Sequence, residues 1–222
     1  MNAYTSMLYP FPKMTMRFEL ENSYKRLLGI PKRFFRSYID ETDAVNMEQV
    51  QIINEIQRMI TDPKSAQSLI VCGGNGTGKT HIGAGTINTL GRYSACVSPD
   101  GTQKDMQPRY VNEADLLNRC TGWGNSRDWF GEYTEECEFL VIDEFGMTQW
   151  NATDKRRIEQ ILNKRFSNGF KTVIMTNLDI GEVFSLLSSQ LKSRLSTGKY
   201  LSLTGDDLRH ADATDEPDWL DE

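Results

Sequence analysis

Short, wholly apolar runs alternate along the chain with longer stretches whose apolar residues recur every three or four positions. The runs 68–72 (SLIVC), 138–146 (EFLVIDEFG), 171–177 (KTVIMTN) and 199–205 (KYLSLTG) are too short for core helices and predict buried strands. Val50, Ile53, Ile56 and Ile60 predict a helix over 43–60, which Pro63 ends. Small residues over 80–90 (THIGAGTINTL) predict another helix, and 109–120 (RYVNEADLLNRC) a short strand followed by a helix. Ile158, Ile161, Leu162 and Phe166 share one face of an amphipathic helix that stops at Asn168-Gly169. The stretch 180–198 is helical, with Leu187 and Leu191 turned to the core. Residues 29–40 form a loop with aromatic anchors, 91–108 a turn-rich polar insertion or loose hairpin, and 121–133 a loop with partial helix. Residues 1–24 carry no firm period. Strands alternating with helices predict an α/β fold, a parallel sheet flanked by helices.

Composition narrows the class. The 222 residues are 38% hydrophobic and 25% charged, ordinary for a water-soluble domain and enough for a sizeable core. With no membrane-length apolar run and no signal-peptide layout, a cytoplasmic location is expected. The four cysteines, Cys72, Cys96, Cys120 and Cys137, form no C-x-x-C pair and have only His81 and His210 as histidine partners, so reduced thiols are expected rather than a zinc site. The net charge of −6 hides an asymmetry: residues 1–40 carry seven bases against three acids, and 205–222 eight acids against one arginine. The basic end suits nucleic acid or an acidic protein; the tail would be repelled by nucleic acid.

The candidate chemistry starts at Gly73, where G-x-x-x-x-G-K-T spans Gly73, Gly74, Asn75, Gly76, Thr77, Gly78, Lys79 and Thr80. This is the phosphate-binding P-loop pattern, and it lies where it should, between a strand and a helix. Unobstructed backbone N–H groups and the positive end of the helix face the anion. Lys79 is expected to reach the outer phosphates of ATP and the Thr80 hydroxyl to hold Mg²⁺. The run 139–144 delivers Asp143 and Glu144 at a strand's carboxyl end, where α/β sheets bind ligands. Asp143 is expected in the Mg²⁺ shell and Glu144 on the attacking water. Asn177 ends the following strand and can help hold that water.

These motifs, GGNGTGKTH, LVIDEFG, IEQILNKR, VIMTNLD, LKSRL and GDDLR, stand in an order and spacing that resemble AAA+ ATPases of the DnaC/IstB type. The likeness covers about residues 29–210 and leans toward DnaC-like loaders of the replicative helicase. It implies a P-loop NTPase sheet with a reduced C-terminal lid. In catalysis it implies Asn177 as first sensor, Arg194 as an arginine finger acting in trans on a neighbour's ATP, and Arg209 as second sensor on its own ATP; His81, directly after the P-loop, is expected with it among the ATP-binding residues. Its implied partners are a hexameric replicative helicase, single-stranded DNA and further copies of the chain. Residues 1–28 are then an arm for helicase docking, 29–210 the ATPase domain, and 211–222 a disordered acidic tail.

Trp123 and Arg127 are the expected DNA contacts, since aromatic faces stack bases and arginine tracks phosphate; Trp129 and Phe130 are expected in the core. A transposition-targeting ATPase of the IstB type, acting on duplex DNA, is the alternative. The Met- and aromatic-rich arm (Met7, Tyr9, Phe11, Met14, Met16, Phe18) suits docking on a protein and favours the loader. A nucleotide-gated adaptor without hydrolysis has no need of Glu144.

Overall fold

The structure is a computed structural model that describes residues 22–39, 44, 46–93, 96–97, 103–104, 107–121, 128–205 and 208. Trp123, Arg127, Arg209, most of the N-terminal arm and the acidic tail lie outside the described residues. The helices are α1 (Asn22–Leu27), α2 (Met47–Thr61), α3 (Lys79–Tyr93), α4 (Glu113–Thr121), α5 (Trp129–Gly131), α6 (Ala152–Ser167), α7 (Ile180–Leu186) and α8 (Ser189–Leu195). The strands are β1 (Ser68–Gly73), β2 (Cys96–Val97), β3 (Gln103–Lys104), β4 (Pro108–Asn112), β5 (Phe139–Asp143), β6 (Lys171–Thr176) and β7 (Lys199–Leu203).

Five strands form one parallel sheet in the order β4-β5-β6-β1-β7. The strands read as unbroken apolar runs because both faces are covered. On one face Leu69, Val71, Phe139, Val141, Val173 and Met175 pack with α2 and α3. On the other, Ile70, Leu140, Ile142 and Ile174 pack with Leu116, Ile158, Ile161, Val183 and Leu191 from the later helices. Trp129 and Phe130 lie half-buried against this second core, as expected. β2 and β3 pair antiparallel as a separate hairpin within the 91–108 stretch.

Two elements differ from the sequence-based expectation. The helix expected over 180–198 is two, because Leu187 and Ser188 are extended and the Ser188 N–H donates to Glu159 Oε1 at 2.7 Å. Leu187 and Leu191 are both buried, so one apolar period serves a broken helix as well as a continuous one. The last residues of the expected arm form α1, and Leu28 after it is fully buried, its carbonyl accepting from Tyr110 N at 2.8 Å. This segment is tied to the sheet's edge strand. A six-residue helix shows too few turns for its period to be read.

One buried cation crosses the second core. Arg165 of α6 is 0% exposed and donates to the carbonyls of Tyr133 (2.5 Å), Cys137 (2.6 Å) and Lys171 (2.6 Å) and to Thr172 Oγ1 (2.9 Å). The planar fork of donors suits this task, since a buried guanidinium is tolerated only when its N–H groups find acceptors. It joins α6 to β6 and to the turn that leads into β5.

Candidate functional site

β1 delivers the chain into a loop over 74–78, and α3 begins at Lys79. Gly76 (φ 75°) and Gly78 (φ 96°) adopt left-handed conformations that side chains disfavour. A Cβ on Gly73 would stand 2.3 Å from the Leu203 carbonyl oxygen, so the entry to the loop is set by close approach to β7. Lys79 is 6% exposed; its Nζ donates to the carbonyls of Gly73 (2.8 Å) and Gly74 (2.5 Å). Thr77 Oγ1 donates to the Gly74 carbonyl at 3.0 Å. From outside the loop, Gln49 Nε2 of α2 donates to the Thr77 carbonyl (3.4 Å) and Leu208 N to that of Gly76 (3.0 Å). The first turn of α3 has no acidic side chain, so the helix presents an uncompensated positive end to the loop. Thr80, next along, is half-buried.

β5 ends on Asp143, 3% exposed. Its Oδ2 accepts from the Tyr110 hydroxyl at 2.6 Å and its Oδ1 from the Glu144 N–H at 2.8 Å. Burial, and then the Asp143 charge, push the Tyr110 phenol far above its ordinary range, which keeps it a donor. Glu144 is exposed and, among the described residues, is the one non-glycine with a positive φ, 56°. Asn177, just past β6, donates from Nδ2 to Asn75 Oδ1 at 2.8 Å, tying this strand end to the loop tip. The pairing of Cys72 with Thr176 and of Ile142 with Ile174 sets these three strand ends side by side.

Lys79, Thr80, Asp143, Glu144 and Asn177 thus gather at one edge of the sheet, with Gly73 to Gly78 between them. Two expected site residues stand apart. His81 Nδ1 lies 3.4 Å from Ser37 Oγ, with Phe34 edge-on at 6.1 Å, so this ring joins α3 to the segment before α2. Burial lowers its pKa and favours the neutral imidazole. Arg194 is half-buried; its Nη1 donates to Asn163 Oδ1 (2.6 Å) and O (3.3 Å), and its guanidinium lies over Phe166 at 5.4 Å. It rests along α6 rather than projecting clear of the surface.

Tyr110 and Gln49 are the contributors that sequence reasoning missed. A tyrosine on a buried strand is ordinary, and only the parallel register, with Asn112 opposite Asp143, puts its hydroxyl on the carboxylate. Chemically, the edge combines an anion cradle at a helix N-terminus, a fixed ammonium, and oxygen donors at Thr80 and Asp143 suited to a hard cation.

No protein-family model matches the chain. Among curated proteins it is similar to the replicative helicase loader DnaC of Escherichia coli (strain K12), 27% identical over 137 residues, 60% of this chain and 52% of that protein. The DnaC loader of Buchnera aphidicola subsp. Acyrthosiphon pisum is 29% identical over 185 residues, 79% of this chain and 70% of that protein. Against the E. coli protein the match thus spans about half the relative's length. Among solved structures it resembles DnaI, with a TM-score of 0.65 and 17% identity over 82% of this chain and 98% of that one. No helix among the described residues is long and apolar enough to cross a membrane. By its likeness to the DnaC loaders in sequence, and by its P-loop sheet in fold, the chain is a DnaC-like AAA+ protein.

Proposed function

We propose that the chain is an ATPase that loads the replicative DNA helicase. The observation that carries this is the convergence of Lys79, Asp143, Glu144 and Asn177 on one P-loop, in a chain whose relatives are helicase loaders. The donor set suits ATP with Mg²⁺. Loop N–H groups and the α3 terminus would hold phosphate oxygens, Lys79 would exchange its carbonyl contacts for them, and Thr80 and Asp143 would hold the cation. Asp143 keeps acceptor capacity for a metal beside the Tyr110 hydroxyl and Glu144 N–H. Bound ATP with its cation supplies a phosphoanhydride bond and charge neutralisation. The chain supplies position and field: Glu144 orients and polarises a water, and Asn177, held by Asn75, lies beside the same edge.

The finer parts of this reading are also proposals: residues 1–28 contact the helicase, 29–210 form the ATPase domain, the acidic tail stays outside it, and copies assemble with Arg194 serving a neighbour's site. For Arg194 to do so, its bonds to Asn163 must open. DNA contacts are assigned to Trp123 and Arg127, with single strands preferred. Loader relatives set this reading ahead of a transposition-targeting ATPase acting on duplex DNA.

Co-purification with a hexameric replicative helicase, with and without ATP, tests it, using the full chain and a chain lacking residues 1–21. Nucleotide-dependent capture by the full chain, weakened by the deletion, is expected. No capture in any nucleotide state, together with tighter binding of duplex than of single-stranded DNA in fluorescence anisotropy, would turn the assignment to transposition.

A further inference from the structure

The turn that follows Glu144 ends on a buried carboxylate with no place in the P-loop pattern. Glu113, the first residue of α4, is 0% exposed. Its Oε1 accepts from Gly146 N at 2.8 Å and its Oε2 from Thr148 N at 3.1 Å. An acidic residue in a helix's first turn ordinarily serves that helix's own N–H groups. These two bonds cross instead to the turn after β5. We propose that Glu113 is a positioning residue for ATP hydrolysis, fixing the turn that presents Glu144 to the water.

Several observations support this. Glu144 (φ 56°) and Gly146 (φ 77°) are both left-handed, and such a turn persists for a non-glycine residue only when its surroundings over-determine it. Phe145 N donates to the Met175 carbonyl (3.0 Å), Thr176 Oγ1 to the Phe145 carbonyl (2.6 Å), and Met147 N to the Glu144 carbonyl (3.1 Å). Those contacts hold the start of the turn, whereas Glu113 alone supplies the acceptors found for Gly146 and Thr148. Two backbone N–H groups held by the two oxygens of one buried carboxyl group grip the turn at two points, which limits rotation about Glu144. Burial raises the Glu113 pKa, and the Gly146 and Thr148 N–H groups work against that rise. The same turn places Met147 Sδ 3.6 Å from Asn177 Nδ2, so loosening it disturbs both groups assigned to the water.

The inference rests on the ATPase reading. The test compares wild type, Glu113→Gln, Glu113→Ala and Gly146→Ala in the full chain. Glu113→Gln keeps the shape but loses the charge and one acceptor. Gly146→Ala strains the turn without touching Glu113, since alanine is disfavoured at φ 77° and its Cβ would press on the ends of Leu178 and Leu186. Each variant should bind a fluorescent non-hydrolysable ATP analogue within twofold of wild type, with KM unchanged. The kcat should fall tenfold or more, with Glu113→Gln between wild type and Glu113→Ala. In a Glu144→Gln background, single-turnover hydrolysis should lose nothing further when Glu113 is changed, because a positioning residue acts only through the group it positions. A kcat within twofold of wild type in both Glu113 variants would overturn the inference and leave the ATPase reading standing. So would parallel losses of kcat, nucleotide affinity and cooperative unfolding, the pattern of a structural defect. A wild-type chain that hydrolyses no ATP under any condition would sink both.

Discussion

Glu144→Gly separates the strain at the site from its chemistry. Glu144 is held at φ 56°, where an L-residue costs roughly 1–2 kcal/mol relative to the right-handed region. Glycine carries no such cost but gives the unfolded chain more freedom, worth roughly 0.4–1 kcal/mol. The side chain is exposed, so its removal loses little packing. The balance favours the variant by about 0.5–1 kcal/mol, which for a chain of this length raises Tm by about 1–4 °C. Glu144→Gln keeps the backbone cost and removes only the carboxylate, so its Tm should stay near that of wild type. Both variants should lose ATP hydrolysis by roughly a hundredfold or more, the scale of a positioned general base. Thermal unfolding by circular dichroism, without nucleotide and at one protein concentration, gives the first quantity; phosphate release gives the second. A Glu144→Gly chain no more stable than Glu144→Gln would refute the strain reasoning. Hydrolysis at the wild-type rate in either variant would refute the role of the carboxylate.

Lys79→Ala should abolish binding of a fluorescent ATP analogue, since it removes both the phosphate partner and the ammonium that ties Gly73 to Gly74. Tyr110→Phe removes the 2.6 Å hydroxyl bond to Asp143 and should raise the Mg²⁺ concentration for half-maximal hydrolysis by about tenfold or more, the usual consequence of losing a group that orients a metal ligand. Arg194→Ala mixed with Lys79→Ala should regain part of the ATPase activity, each subunit supplying the half-site the other lacks. Asn163→Ala, which removes the shorter of the two bonds holding Arg194 and leaves the backbone bond and the Phe166 contact, should be at least as active as wild type, and a loss there would mean that Arg194 works where it lies against α6.

What could be read in advance divides along physical lines. Strands buried on both faces leave unbroken apolar runs, and the P-loop and strand-end acids are local patterns, so β1, β5 and β6 were legible, as were the places of Lys79, Asp143 and Asn177 at their ends. The break between α7 and α8 was not, because it depends on Glu159 reaching the Ser188 N–H across 29 residues. The Tyr110–Asp143 contact was hidden for a related reason. Apolar alternation marks which residues face the cores, but which hydroxyl meets which carboxylate depends on strand order and register.

Glu113 is a second case in which long-range pairing decides what a side chain does. In the sequence it is one acid at a helix start, a position where helix propensity and the dipole already explain a glutamate. In the fold β4 lies beside β5 with Asn112 opposite Asp143, so the residue after Asn112 faces the turn after Glu144. The strand pairing thereby turns a helix-start acid into an anchor for a strained turn. The strain belongs to Glu144, whereas the contacts that sustain it come from β6 through Met175 and Thr176 and from α4 through Glu113. On the proposed ATPase reading, residues far apart in the chain would set hydrolysis while leaving nucleotide affinity untouched, since none of them belongs to the loop that would grip the phosphates.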